Sequence, residues 1–221
     1  MNFSTLFRLE ENLHLDKKTL VNFRWIAIIG QLISINFVYF FLKLNLPIVE
    51  TYIIITLGFI TNIILQFRIR TNQLKDAHAA FFLIYDLLQL CALLYFTGGI
   101  FNPFSFLIII PTIVSSTFLS MGTTIILGTL TTSLLFFLRK FHKILPGSDT
   151  DNFNFPEYYL AGALVSIIIG LVFLSYFGIK FSGETKKRSE ALDKLQRVMA
   201  KEYEIDSLGG QAAAAAHSLG T

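Results

Sequence analysis

The sequence predicts an all-α fold: a six-helix polytopic transmembrane bundle followed by a cytoplasmic helix. Three observations carry this reading. Of 221 residues 53% are hydrophobic and the mean hydropathy is +0.61, a balance that an ordinary soluble core does not reach. Windows of about 20 apolar residues, the length a helix needs to cross a bilayer, recur six times. The charged residues, 15% of the chain, gather mostly at the ends and in two loops.

The six windows fall at residues 23–42, 49–67, 79–97, 104–121, 123–141 and 158–180. Only Ser120 to Thr124 separates the fourth from the fifth. Residues 1–22 are polar and show no cleavage pattern, so span one is a retained helix and not a signal peptide. Arg8, Lys17, Lys18 and Arg24 precede span one, Arg68, Arg70 and Lys75 follow span two, and Lys180, Lys186, Lys187 and Arg188 follow span six. Six spans place all these flanks on one side, which puts both termini in the cytoplasm. The loop from Arg139 to Glu157 opposes that majority with Arg139, Lys140 and Lys143, beside Asp149, Asp151 and Glu157. The chain thus divides into a cytoplasmic segment (1–22), a membrane domain (23–181), a cytoplasmic connecting helix (182–208) and a terminal helical segment (209–221).

The net charge of +3 sits beside the spans, which fits lipid headgroups and topology, not nucleic acid. Cys91, the single cysteine, excludes a disulfide within the chain and reads as a small buried hydrophobe of span three. His14, His78, His142 and His217 lie outside or at the edge of the spans, so no axial haem pair forms within the bilayer. No metal-ligand spacing and no glycine loop for a nucleotide are present.

Between spans three and four the chain reads GGIFNPF, Gly98 to Phe104. Gly98 or Gly99 can adopt the left-handed conformation that ends a helix; Asn102 can cap the next one, and Pro103 suits its first turn. These residues build a helical hairpin for that reason alone. The same geometry is expected to leave backbone amides free at the start of span four, flanked by Phe101 and Phe104. Hydrogen-bond donors for carbonyl oxygens and flat apolar surface are what a quinone headgroup needs.

Asp86 lies in the middle of span three, where an ionised carboxylate costs about 2.5 to 3.5 kcal/mol on insertion scales. Its apolar neighbours, at about −0.3 to −0.6 kcal/mol each, outweigh that cost. Asp86 is therefore expected to face the bundle interior, with Gln89 one turn away as its hydrogen-bond partner. Its two readings are a structural interhelical bond, the favoured one, and a proton site coupled to quinone reduction. Pro111 is expected to kink span four, and Gly162, Ser166 and Gly170 give span six a row of small residues for close packing.

Beyond Lys180 the composition turns polar and helix-forming, with Leu192, Leu195 and Met199 at coiled-coil spacing before Glu202. Gly209-Gly210 reads as a hinge or a helix restart. The last ten residues, AAAAAHSLGT, place His217 after five alanines of the highest helix propensity. A small-residue helix leaves that imidazole accessible as a nucleophile.

The AAAAAHSLGT segment resembles the phosphoacceptor box of sensor histidine kinases, with His217 the phosphoacceptor and Thr221 the threonine four positions on. Ser218 stands where that box carries an acidic residue that assists proton transfer. GGIFNPF is similar to the quinone-sensing Gly-Gly-x-x-Asn-Pro-Phe motif of RegB/PrrB-type redox-sensing membrane histidine kinases, which place it between the third and fourth of six spans. Arg24-Trp25-Ile26-Ala27 with Gly30-Gln31 in span one also resembles that family. The resemblance implies a homodimeric sensor in which ubiquinone at Gly98, Gly99, Asn102, Pro103 and Phe104 biases autophosphorylation of His217. Transfer to an aspartate of a response regulator would follow. It makes the cytoplasmic extension a dimerisation and phosphoacceptor helix, and the chain the sensor half of a longer kinase or a truncated homologue. ATP and Mg²⁺ would then act only in an ATP-binding lobe outside this sequence, so that the isolated chain has no turnover of its own. The rival class is a six-span transporter or channel. Solute flux in vesicles would favour the rival, and ligand-dependent phosphorylation the kinase; no inverted repeat or pair of broken helices supports transport.

Overall fold

The computed structural model describes residues 15–68, 71, 73–144 and 156–220. Its contacts separate two units, Met1–Ile179 and Lys180–Thr221.

In the first unit helices form wherever the apolar windows fall, but local chemistry sets their ends. Helix α1 (Lys17–Asn36) starts well before the first apolar window and winds on through a π-helical turn, Phe37–Phe41. Its start is pinned from outside: the Leu74 amide donates to the Leu15 carbonyl at 3.2 Å, and Asp16 pairs with Gln73. Helix α2 covers Ile48–Arg68, and α3 covers Asp76–Phe96 with an acidic residue in its first turn, at the positive end of its dipole. Helix α5 (Met121–Lys140) is capped by Ser120, whose side chain accepts from the Thr123 amide. The Asp76 carboxylate accepts from the Ser120 hydroxyl at 2.9 Å and the Thr123 hydroxyl at 2.6 Å, so one residue ties the starts of α3 and α5 together.

Span four departs from a plain helix. It opens as a 3₁₀ helix, Pro103–Ile109, and becomes α-helical only as α4 (Ile110–Phe118). Pro111 sits in the first turn of α4, where its missing amide hydrogen is no loss; the expected kink is instead a change of helix type. The stretch Pro103–Phe118 is too short in residues to count with the five long apolar helices among the described residues. Seven residues rising about 2.0 Å and nine rising about 1.5 Å nevertheless give about 27 Å, close to the hydrocarbon thickness of about 30 Å. The larger rise per residue of the 3₁₀ turns thus makes a sixth crossing from a short segment.

Polar side chains join α4 to α5 inside the bundle. Thr112 and Thr131 hydroxyls lie 2.8 Å apart and Ser115 and Thr124 hydroxyls 3.0 Å apart, all four buried. Hydroxyl pairs of this kind serve as interhelical glue where apolar contact gives no preference over lipid. Cys91 is buried in the core, as its position predicts.

Helix α6 covers Glu157–Leu219. In the second unit it passes through Gly209-Gly210 without a break, neither hinge nor restart. Two glycines cost about 1 kcal/mol each relative to alanine, and the following run of five alanines, the best helix formers, offsets that locally. Leu192, Leu195, Val198 and Met199 are all exposed, as are Ile205 and Leu208, which carry exposed apolar residues beyond Glu202.

Candidate functional site

The turn at Gly98–Phe104 is built from its own side chains. Gly98 ends α3 at φ 109° and Gly99 follows at φ 59°, both in the region that favours glycine. Gly99 is also a close approach: a Cβ there would sit 2.6 Å from the His142 Cβ and 2.7 Å from the Leu138 carbonyl. Asn102 then holds the two helix ends together. Its Oδ1 accepts from the Phe104 amide at 2.8 Å, while its Nδ2 donates to the Thr97 carbonyl at 3.0 Å and the Thr97 hydroxyl at 2.7 Å.

This arrangement uses up the amides that the sequence led us to expect free. Phe101 and Asn102 donate to Gly98 and Gly99, Ser105 donates to the Asn102 carbonyl, and Pro103 has no amide hydrogen. From Phe101 onward the turn therefore presents shape and aromatic surface rather than backbone donors. Phe104 is 44% exposed, and Phe101 is tilted against the His142 ring at 5.1 Å between centroids.

Asn102, Pro103 and Phe104 form one end of a cavity of about 790 Å³ between α1, α3 and span four. Its volume lies within the range of about 300–1,000 Å³ usual for small-molecule sites. Most of the wall is apolar, and Gly30 faces open space: a Cβ there would meet nothing within 4 Å. Polar groups on the wall include Arg24 and Gln31 of α1, Asp86 and Gln89 of α3, and Thr97 just after α3. Of the residues singled out from sequence, Asp86, Gln89, Asn102, Pro103 and Phe104 share this one cavity. Gly98 and Gly99 shape the turn behind it.

Asp86 does not pair with Gln89. Arg24 Nε donates to Asp86 Oδ1 at 2.8 Å, and Arg24 Nη2 donates to the Thr61 hydroxyl at 2.7 Å. Gln89 instead donates to the Gln31 side-chain oxygen at 3.2 Å. The reason is the early start of α1: Arg24 is a buried residue two turns inside the helix, not a flanking topology charge, and a buried carboxylate is better matched by a guanidinium than by an amide. Rings of Phe82 and Tyr85, 5.3 and 5.5 Å from the guanidinium carbon, complete the enclosure. Two opposite charges inside apolar windows were the sequence signal for this pair. Arg24 and Gln31 are thus site residues that pattern reading passed over.

His217 lies near the end of α6 in the second unit and is exposed. Thr221 lies outside the described residues.

Comparison with known proteins places these features. A family model described as the PilS-like transmembrane domain, a six-helix class, matches residues 17–192. Two curated relatives, both named sensor histidine kinase RegB, come from Cereibacter sphaeroides and a named strain of that species. Each is 36% identical over 205 residues, covering 92% of this chain and 44% of the relative. The chain therefore spans less than half the length of the kinases it matches. No solved structure matches it. A match running from the first residue of α1 into the helix beyond the last span, over an all-α membrane bundle, makes the chain a member of the PilS-like six-helix transmembrane domain family, similar along almost its whole length to sensor histidine kinase RegB.

Proposed function

We propose that the chain is the membrane sensor of a two-component histidine kinase that reads the redox state of the quinone pool and so controls autophosphorylation of His217. The observation that carries the reading is the cavity: three residues of the quinone-sensing motif, Asn102, Pro103 and Phe104, line a mostly apolar chamber of about 790 Å³ within the membrane bundle. A ubiquinone ring is flat, uncharged and delivered through lipid, and such a chamber suits it. The motif glycines act by fixing the turn.

The exposed His217 is the phosphoacceptor, followed by transfer to an aspartate on a response regulator. ATP with Mg²⁺ serves a separate kinase lobe. The exposed apolar row of the second unit, from Leu192 to Leu208, supports a homodimer. Both termini face the cytoplasm of the bacterial inner membrane, with basic flanks on the inner leaflet.

The test joins the chain to the kinase portion of sensor histidine kinase RegB in inverted membranes and follows transfer of γ-phosphate to His217. Labelling is expected to differ several-fold between membranes poised with oxidised and with reduced ubiquinone, and to vanish in His217→Gln. Equal labelling at both poises refutes redox control.

A further inference from the structure

We infer that Gly178 of α6, seated on Ser116 and Thr117 of α4, is the contact through which span four passes occupancy of the cavity to the helix bearing His217. The inference rests on the reading of the chain as the sensor of a histidine kinase, and it assigns the residue that joins input to output.

Helix α4 stands between the cavity and α6. Ile110, Pro111 and Val114 line the cavity, whereas Ser116 and Thr117 meet Gly178. At about 100° per residue Ser116 lies about 200° round the helix from Val114, on the opposite face. A ligand that presses on one face of so short a helix therefore moves the other. The 3₁₀ turns that precede it, Pro103–Ile109, give it room to move: exchanging one three-residue turn for α winding shortens span four by about 1.5 Å.

The seat on α6 has no slack. A Cβ at Gly178 would collide with the Ser116 hydroxyl and lie 3.1 Å from Thr117 Oγ1 and 3.2 Å from the Ser116 Cβ. No side chain of residue 178 stands between the two helices to absorb a shift by changing rotamer. The two hydroxyls are held as well, since both donate to the Ile113 carbonyl, Ser116 at 2.7 Å and Thr117 at 3.1 Å. Packing this close transmits displacement. By contrast a Cβ at Gly162 or Gly170 of the same helix would meet nothing within 4 Å among the described residues. One turn before Gly178 the Ser175 hydroxyl is buried with no hydrogen-bond partner among the described residues, a cost that a second arrangement of this interface would relieve. Leu171, two turns before Gly178, is buried in the main core and keeps this face of α6 turned inward. From Gly178 the helix runs unbroken to His217, so a slide or rotation imposed there is carried along it.

The experiment uses the chain joined to the RegB kinase portion in inverted membranes, with ubiquinone binding measured alongside. Gly178→Ala is expected to keep labelling His217 and to bind ubiquinone within about twofold of wild type, but to cut the ratio between the oxidised and reduced poises from several-fold to under about 1.5-fold, because the coupling is lost and the site is not. Ser116→Gly combined with Gly178→Ala returns the space and is expected to restore at least about half of that ratio, while Gly170→Ala leaves it as in wild type. A wild-type ratio in Gly178→Ala, no recovery in the paired variant, or an equal loss in Gly170→Ala overturns the assignment. Val114→Trp decides without quinone, because it fills the cavity from α4. It is expected to change His217 labelling at least about threefold in the wild-type background and less than about 1.5-fold in Gly178→Ala. No effect of Val114→Trp, or the same effect in both backgrounds, overturns the contact and leaves redox sensing standing. If the wild-type chain ignores the quinone poise while Val114→Trp still acts only with Gly178 intact, the redox reading falls and the contact stands.

Discussion

Replacing Asn102 with alanine removes three hydrogen bonds at once: the acceptor for the Phe104 amide at 2.8 Å and the two donations to Thr97 at 3.0 and 2.7 Å. Loss of the helix cap costs about 1 kcal/mol. The Thr97 bonds share one amide nitrogen and together contribute about 1 to 1.5 kcal/mol, because each net hydrogen bond is worth about 0.5–1.5 kcal/mol. Asn102→Ala should therefore destabilise the bundle by about 2 to 2.5 kcal/mol. Asn102→Ser keeps a capping oxygen for the Phe104 amide and loses the donations to Thr97, so it should cost about 1 to 1.5 kcal/mol. Equilibrium unfolding in mixed micelles, followed by helical circular dichroism, measures both. Because a lost cap alone costs about 1 kcal/mol, an alanine variant within about 0.5 kcal/mol of wild type would refute the stapled turn. The comparison also bears on function. A motif asparagine that acts by shaping a turn should lose ligand control in proportion to lost stability, with Ser retaining more of it than Ala.

Gly99→Ala places a side chain at φ 59° against the His142 Cβ and Leu138 carbonyl, and should cost at least about 2 kcal/mol on unfolding, since the left-handed conformation alone costs an L-residue about 1–2 kcal/mol. Arg24→Ala strands a buried Asp86 and should cost about 3–5 kcal/mol, whereas the double variant Arg24→Leu with Asp86→Leu should recover most of that in the same assay. Gly30→Leu extends into space where a Cβ meets nothing within 4 Å, so it should leave stability within about 1 kcal/mol while cutting ubiquinone binding at least tenfold; unchanged binding would move the ligand out of this cavity.

Hydropathy made the six crossings legible because lipid imposes length and apolarity on every span, whatever the packing. It misplaced the start of α1, whose first turns are held by Leu15 and Asp16 against Leu74 and Gln73, contacts far apart in sequence. It showed span four as apolar but not as 3₁₀, since winding depends on packing around Pro103 and Pro111. The turn chemistry of Gly98, Asn102 and Pro103 was readable because capping is local. The Arg24–Asp86 pair was not, because helical spacing relates a residue only to neighbours three or four away, and these partners are 62 apart. The same limit turned Gln89 into a partner for Asp86 when its bond is to Gln31. The exposure of His217 on a helix was readable from its alanine setting, which shapes a helix surface without tertiary help.

Occupancy of the cavity is read most directly by photolabelling the membrane-embedded chain with an azido-ubiquinone and mapping the modified residues by mass spectrometry. Label concentrated on α1 and α3 between Arg24 and Gln31 and between Asp86 and Thr97, displaced by excess ubiquinone and lost in Gly30→Leu, is the expected result. Label spread over the lipid-facing residues of α2 and α6, insensitive to competitor and to that substitution, would contradict a quinone site inside the bundle.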